Sequence, residues 1–380
     1  MGASRVTAHP ERWLGGPAPG GLALPPAGPS RTNLYAPRGV YLDDEVVVVA
    51  DSGNHRVLIW YGWPERDHAP ADIVLGQEDF EAEGPKLFHL PTGVAVYEGC
   101  LFVADAWHHR LLIWEGLPKD SNQPPDRILG QSDLTGISPN RGKEVGPTGF
   151  YWPYGFAYAN GWFYVADTGN RRVLGWKGIP EDGRLPDLIL GQPDGYANQE
   201  NRGRGVGPDT FRWPHAIAGD GGTLYIADAG NHRVLGYTPF PAADRPADLV
   251  LGQEDFTRAF ELPHIPQGPR RLRFPYGVTV SGNTLAVADT ANNRVLLFSG
   301  LPRTGAGHPA AGVIGQTDFD GSGENRWRSV ERESLCWPYG VWFHQDRLAI
   351  ADSGNNRVMV WRVERLGYSP QEEGVVAFMR

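Results

Sequence analysis

Ala50-Asp51-Ser52-Gly53-Asn54-His55-Arg56-Val57-Leu58 decides the fold, because the chain repeats it. Copies run from Ala104-Asp105 to Leu111, Ala166-Asp167 to Leu174, Ala227-Asp228 to Leu235, Ala288-Asp289 to Leu296 and Ala351-Asp352 to Met359. Their aspartates lie 54, 62, 61, 61 and 63 residues apart, so the 380-residue chain holds six in-phase units. Each unit carries four strand-like runs. In the third they are residues 155–159 (A), 162–166 (B), 172–176 (C) and 187–190 (D), rich in β-branched and aromatic residues and bounded by Gly, Pro, Asn or Asp. A lone four-stranded sheet buries too little apolar surface, whereas six set radially cover both faces of each sheet and close a ring. The expected fold class is therefore all-β, a six-bladed β-propeller of four-stranded antiparallel blades spanning residues 36–380. Residues 1–35 form a Gly/Pro-rich N-terminal segment able to pack at the ring-closure seam.

Composition agrees with this reading. Apolar residues make up 41% and charged residues 21%, enough for a packed core, and the 50 Gly and 33 Pro fall between the apolar runs as turn residues. A net charge of −9 lacks the basic signature of a non-specific nucleic-acid binder. Cys100 and Cys336 sit in unlike contexts and build neither a disulfide framework nor a zinc cluster, which fits a reducing compartment. No leader-like apolar run opens the chain and none reaches about 18 residues, so a cytoplasmic protein without a membrane span is expected.

Within the repeated phrase, Gly and Asn tolerate the positive φ expected of a tight B–C turn, while Asp51 and Arg56 flank it and can pair across it. Six recurrences mark these residues as turn staples. Pro-x-Gly-Val followed by Ala-Asp-x-Gly-Asn-x-Arg-Val resembles the NHL-repeat family from about residue 36 to the end. The resemblance implies a six-bladed propeller that serves protein–protein contacts or, in some members, binds single-stranded RNA. Related six-bladed propellers include peptidyl-amidating lyases, with an axial zinc held by histidines beside a tyrosine and an arginine, and lactonase- and strictosidine-synthase-like proteins.

Meander geometry puts the D-to-A connections and B–C turns on one face, and the A–B and C–D loops on the other. Residues 132–152, 193–213, 254–274 and 317–337 each span 21 residues, against 13 for residues 78–90. Constant length marks a repeated structural insert. So do Asn140-Arg141-Gly142, Asn201-Arg202-Gly203 and Asn325-Arg326-Trp327, and the recurring Gly-Gln-x-Asp. Nearly balanced charge in the inserts favours local Arg–Asp pairing over an arginine crown for an anionic partner.

The residue after Pro at the start of strand A varies from blade to blade: Arg38, Thr92, Tyr154, His215, Tyr276 and Tyr339. The repeat sets these six around the axial entrance, where they either bind a small polar or anionic ligand or plug the mouth by bonding one another. Blade two departs from the rule in its turn, where Trp107 replaces glycine and His108 replaces asparagine, a pair suited to a partner contact. Strand A is small at Ala95, Ala157, Ala218 and Thr279 but bulky at Tyr41 and Trp342, which should pack the seam between the first and last blades. The outer strand of blade six is either residues 374–378 or an N-terminal run containing Arg12-Trp13-Leu14.

No Gly-x-Ser-x-Gly elbow, His-Glu-x-x-His, phosphate loop or nucleotide fingerprint occurs. The expectation is a non-enzymatic binding or scaffold propeller that meets a protein partner, or a small polar ligand, with the D-to-A and B–C face. No catalytic or metal-binding residue and no cofactor is assigned. The alternative, a metal-dependent lyase or hydrolase at the axial entrance, has only His215 in the ring, with His89 the nearest addition, and ligand spacing does not support an axial metal ion. RNA binding is the minor alternative.

Overall fold

Short runs of β-branched and aromatic residues, punctuated by turn formers, give six sheets in the computed structural model, which describes residues 6–16 and 28–365. Blade three shows the pattern: strands A to D are Pro153–Ala159, Trp162–Asp167, Arg172–Lys177 and Leu188–Leu190, antiparallel throughout. Alternate side chains pack against the neighbouring blades. Tyr225, Val234 and Leu249 of blade four, for example, meet Val278, Leu285 and Leu296 of blade five in one apolar layer. The chain is a six-bladed β-propeller.

The ring closes through the N-terminal segment. Val6–Gly15 pairs antiparallel with Arg357–Arg365 as the outermost strand of blade six. Its register slips between Pro10 and Arg12, which turns Glu11 toward Arg347 and Arg362, at 3.2 Å from each. Asp67 of blade one accepts from the Trp13 amide and pairs with Arg332, tying the strand to both neighbours. The alternative strand, residues 374–378, lies outside the described residues. At the seam Tyr41 packs on Trp342 with ring centroids 4.8 Å apart, as expected of bulky strand-A residues in adjoining blades.

Two expectations need correction. The C–D segments do not stay on the far face with the A–B loops, because they climb the outer edge of the preceding blade. Asp182 of blade three accepts the Gly130 amide and pairs with Arg141, and residues Gly305–Ala306 add a parallel fifth strand beside Leu249–Leu251. Covering this edge satisfies its free backbone groups. The B–C turn also differs in its conformation. It is one turn of 3-10 helix (Thr168–Asn170 in blade three), and the left-handed residue is the one before the arginine: Arg171, with φ 57°. The turn glycine is required by crowding instead, since a β-carbon on Gly169 would stand 2.5 Å from the Tyr151 ring.

The staples hold as expected and reach further. Asp167 and Arg172 are both buried and 2.8 Å apart, and the equivalent pairs in the other blades lie at 2.6–3.0 Å. Asp167 also accepts the Tyr151 amide, and Arg172 donates to the carbonyls of Gly195 and Gly146, one in each flanking insert. Asn140 and Asn170 exchange side-chain hydrogen bonds, as do Asn201 with Asn231 and Asn325 with Asn355. The 21-residue inserts are thus a repeated, internally bonded structure that presents a firm face.

Candidate functional site at the axial mouth

Each blade delivers one side chain to the axis, from the residue that follows its proline. In blades three to six the strand A–B register breaks just after the proline, so that Tyr154, His215, Tyr276 and Tyr339 sit at β-bulges. A bulge leaves a residue outside the ladder and re-aims its side chain. The next residue is glycine in five blades because backbones converge there: a β-carbon on Gly39 would stand 2.2 Å from the Thr92 carbonyl oxygen, and one on Gly340 2.5 Å from that of Arg38. Only Ala216 breaks the pattern.

The six varied residues line one axial cavity of about 90 Å³, whose deeper walls include Val94, Phe156, Ile217 and Trp342. They form a continuous circuit. The Arg38 Nη1 donates to Tyr154 Oη at 3.1 Å, and Thr92 Oγ1 donates to the Tyr154 carbonyl at 2.8 Å. The rings of Tyr154, His215, Tyr276 and Tyr339 follow at centroid spacings of 4.4, 4.4 and 4.9 Å. The Arg38 guanidinium then lies 5.3 Å from the Tyr339 centroid and completes the loop. The members do bond one another, yet polar capacity is left over. Among the described residues no carboxylate lies within ion-pair distance of Arg38, and the Tyr276 and Tyr339 hydroxyls have no protein partner.

Electrostatics follow from burial. The His215 Nδ1 lies 2.9 Å from the Trp213 carbonyl and must donate to it, which leaves Nε2 with a lone pair. Burial pushes the imidazole down to about 4, with the Arg38 charge adding to the effect against the Trp213 bond. The ring is therefore neutral near pH 7. Burial pushes the Tyr154 phenol up to about 12 and those of Tyr276 and Tyr339 upward as well, so all three stay protonated donors. Arg38 is the only charged member of the ring of six at neutral pH.

Blade two's departure divides between two places. Trp107 joins the mouth: its ring is 5.4 Å from the Arg38 guanidinium and meets Tyr154 edge-on at 5.8 Å. His108 instead takes the place of the turn asparagine, with Nδ1 2.9 Å from Asp105 Oδ2. His89 lies between His55 and His108, at centroid distances of 5.3 and 5.5 Å, away from the axial cavity. His55 Nδ1 accepts the Leu90 amide, so its proton is on Nε2. The same inter-blade bond recurs from His109 to Trp152, His232 to Phe274 and Asn293 to Trp337.

A second, outer ring escaped the sequence reading. The residue before each of these prolines is Trp152, Trp213, Phe274 or Trp337, and all but Trp213 have φ near 50°. Trp152 and Trp337 are exposed. Their signal was an aromatic recurring at the end of every 21-residue insert. A bulky residue held left-handed stores strain, and such residues gather at functional surfaces.

With the propeller and its mouth in view, comparison with known proteins is direct. The NHL repeat model matches residues 34–60 and 211–237, two copies of the stapled unit. The chain is a propeller that carries NHL repeats. This NHL propeller is 23% identical over 348 residues to NHL repeat-containing protein 2 of Bos taurus, an alignment covering 84% of the chain and 45% of that relative. The chain thus spans less than half the length of the curated relative it matches. Among solved structures it is similar to a structural genomics protein of unknown function from Bacteroides thetaiotaomicron, with TM-score 0.50, 14% identity and coverage of 95% of this chain and 76% of that one. It is also similar to virginiamycin B lyase from Staphylococcus aureus, with TM-score 0.45, 12% identity and coverage of 86% and 94%. At 14% identity the Bacteroides structure speaks for the fold alone. No helix among the described residues of this NHL propeller is long and apolar enough to cross a membrane.

Proposed function

We propose that this NHL propeller is a binding module that engages its partner or ligand at the axial mouth of the D-to-A face. The observation that carries the reading is Arg38, a cation with no acidic neighbour, set among the tyrosines and His215 at the centre of an aromatic surface. Several other arginines on this face are neutralised: Arg141 by Asp182, Arg202 by Asp209 and Asp244, and Arg273 by Glu261. That pairing, with a net charge of −9, favours a protein or small-molecule partner over RNA, whose binding rests on several free cations. Rigid inserts carrying exposed tryptophans suit a contact surface, because rigid aromatics lose little entropy on binding.

The test is retention of a partner on immobilised protein. Material held by the wild type should be lost from an Arg38→Met, Trp152→Ser double variant. It should stay on Glu45→Lys, which alters the exposed A–B loop of the far face. Retention by the first variant and loss by the second would place the interface on the other side and overturn the reading.

A further inference from the structure

Resting on the axial mouth as the binding site, we propose that its ligand is a carboxylate monoanion carried on an aromatic body, with the carboxylate gripped by the free edge of Arg38. The guanidinium is held between the faces of Trp107 and Tyr339, at 5.4 and 5.3 Å. Its Nη1 is spent on Tyr154. Nε and Nη2 have no acceptor among the described residues, and they form the parallel pair of N–H donors that matches two oxygens of one anion.

Charge and size narrow the class. Arg38 is the only cation of the ring, and the neighbouring His215 presents a lone pair at Nε2. One negative charge is balanced there, whereas a second would face that lone pair without a counter-ion. The Tyr276 and Tyr339 hydroxyls remain as neutral donors to the same anion. The cavity of about 90 Å³ is small and open at its mouth, which suits a compact carboxylate head with the rest of the ligand lying outside. The way out of the cavity is aromatic. Trp107 stands 5.7 Å from the exposed Trp152, and a planar body attached to the carboxylate would lie along them.

Calorimetric titration at neutral pH tests this with phenylacetate, phenylacetamide, phenyl phosphate, and a short peptide ending in phenylalanine as free acid or as amide. Phenylacetate or the acid peptide should saturate the wild type. Binding should weaken about tenfold or more for the matching amide and for Arg38→Met, whose chain still fills the space between Trp107 and Tyr339. Arg38→Lys, which keeps the charge and loses the fork, should bind more weakly than wild type and gives a second readout should the methionine variant fail to fold. The tighter of the two carboxylates tells a free small acid from a chain terminus, and either supports the proposal. Tighter, Arg38-dependent binding of phenyl phosphate would overturn the carboxylate assignment and leave the axial reading standing. Equal binding of amide and acid, or no saturation below about 10 mM, a free energy weaker than some 3 kcal/mol, would overturn the proposal. Carboxylate binding unchanged in both Arg38 variants would bring down the axial reading with it.

Discussion

Gly155 approaches His215 so closely that a β-carbon would stand 2.3 Å from that residue's carbonyl oxygen. The contact is backbone to backbone, so no side chain can rotate away. Gly155→Ala should force blades three and four apart at the axis and cost about 2 kcal/mol, in the range of other overpacked sites. Blade four already carries Ala216 at the equivalent position and supplies the control, since Ala216→Gly should change stability by well under half of that. Urea unfolding of the two variants checks both.

Asp167 and Arg172 predict a larger loss. Burial pushes the Asp167 carboxyl upward, while Arg172, the Tyr151 amide and Asn170 pull it back. Asp167→Ala would leave a buried guanidinium without its carboxylate, a change worth roughly 3–5 kcal/mol. Two inserts would lose their anchor together. The midpoint of denaturant unfolding should drop accordingly, and a drop of only a few tenths of a kcal/mol would contradict the staple assignment.

His215 gives the stability a pH dependence. Its imidazole sits near 4 in the fold and at an ordinary value near 6.5 when unfolded. Between those values the unfolded chain binds the proton and the folded one does not, so stability falls as pH drops from about 6.5 toward 4. The full effect is on the order of 3 kcal/mol. His109, also pushed down to about 4, contributes in the same direction. Subtracting the pH profile of His215→Phe, which keeps the stack between Tyr154 and Tyr276, isolates the ring's share. Equal slopes for wild type and variant would refute it.

Trp327 should be replaceable with profit to stability. It is 82% exposed with φ 58°, at the position where two of the other inserts have Gly142 and Gly203 in the same conformation. A left-handed backbone costs a non-glycine residue roughly 1–2 kcal/mol. Trp327→Gly should therefore stabilise the propeller by about 1 kcal/mol, read as a raised melting temperature.

Much of this architecture could be read without coordinates, for identifiable reasons. Strand positions such as Phe156, Val165 and Leu174 are legible because residue character and turn formers repeat six times. The mouth residues were legible because Arg38, Thr92, Tyr154, His215, Tyr276 and Tyr339 are the variable position inside an otherwise constant phrase. Trp107 was noticed as an oddity of its turn, but its contact with Arg38 depends on how neighbouring blades meet. The left-handed residue of the B–C turn was missed because His55, Arg171 and Asn293 share the conformation and not the side chain. The closing strand stayed ambiguous because Val6–Gly15 contains a proline and a bulge, and its partner lies at the other end of the sequence.

That closing strand sets an order of events during synthesis. Val6 pairs with Arg365 and Gly15 with Arg357, so this strand must wait on the ribosome for the propeller's own last strand. Five sheets can assemble by local pairing as they emerge, while the sixth cannot be completed until translation has passed residue 365. Such long-range pairing is slow and leaves apolar edges uncovered meanwhile. A nascent chain stalled before that point carries an open-ended stack of blades, and its dependence on chaperones should be greatest there.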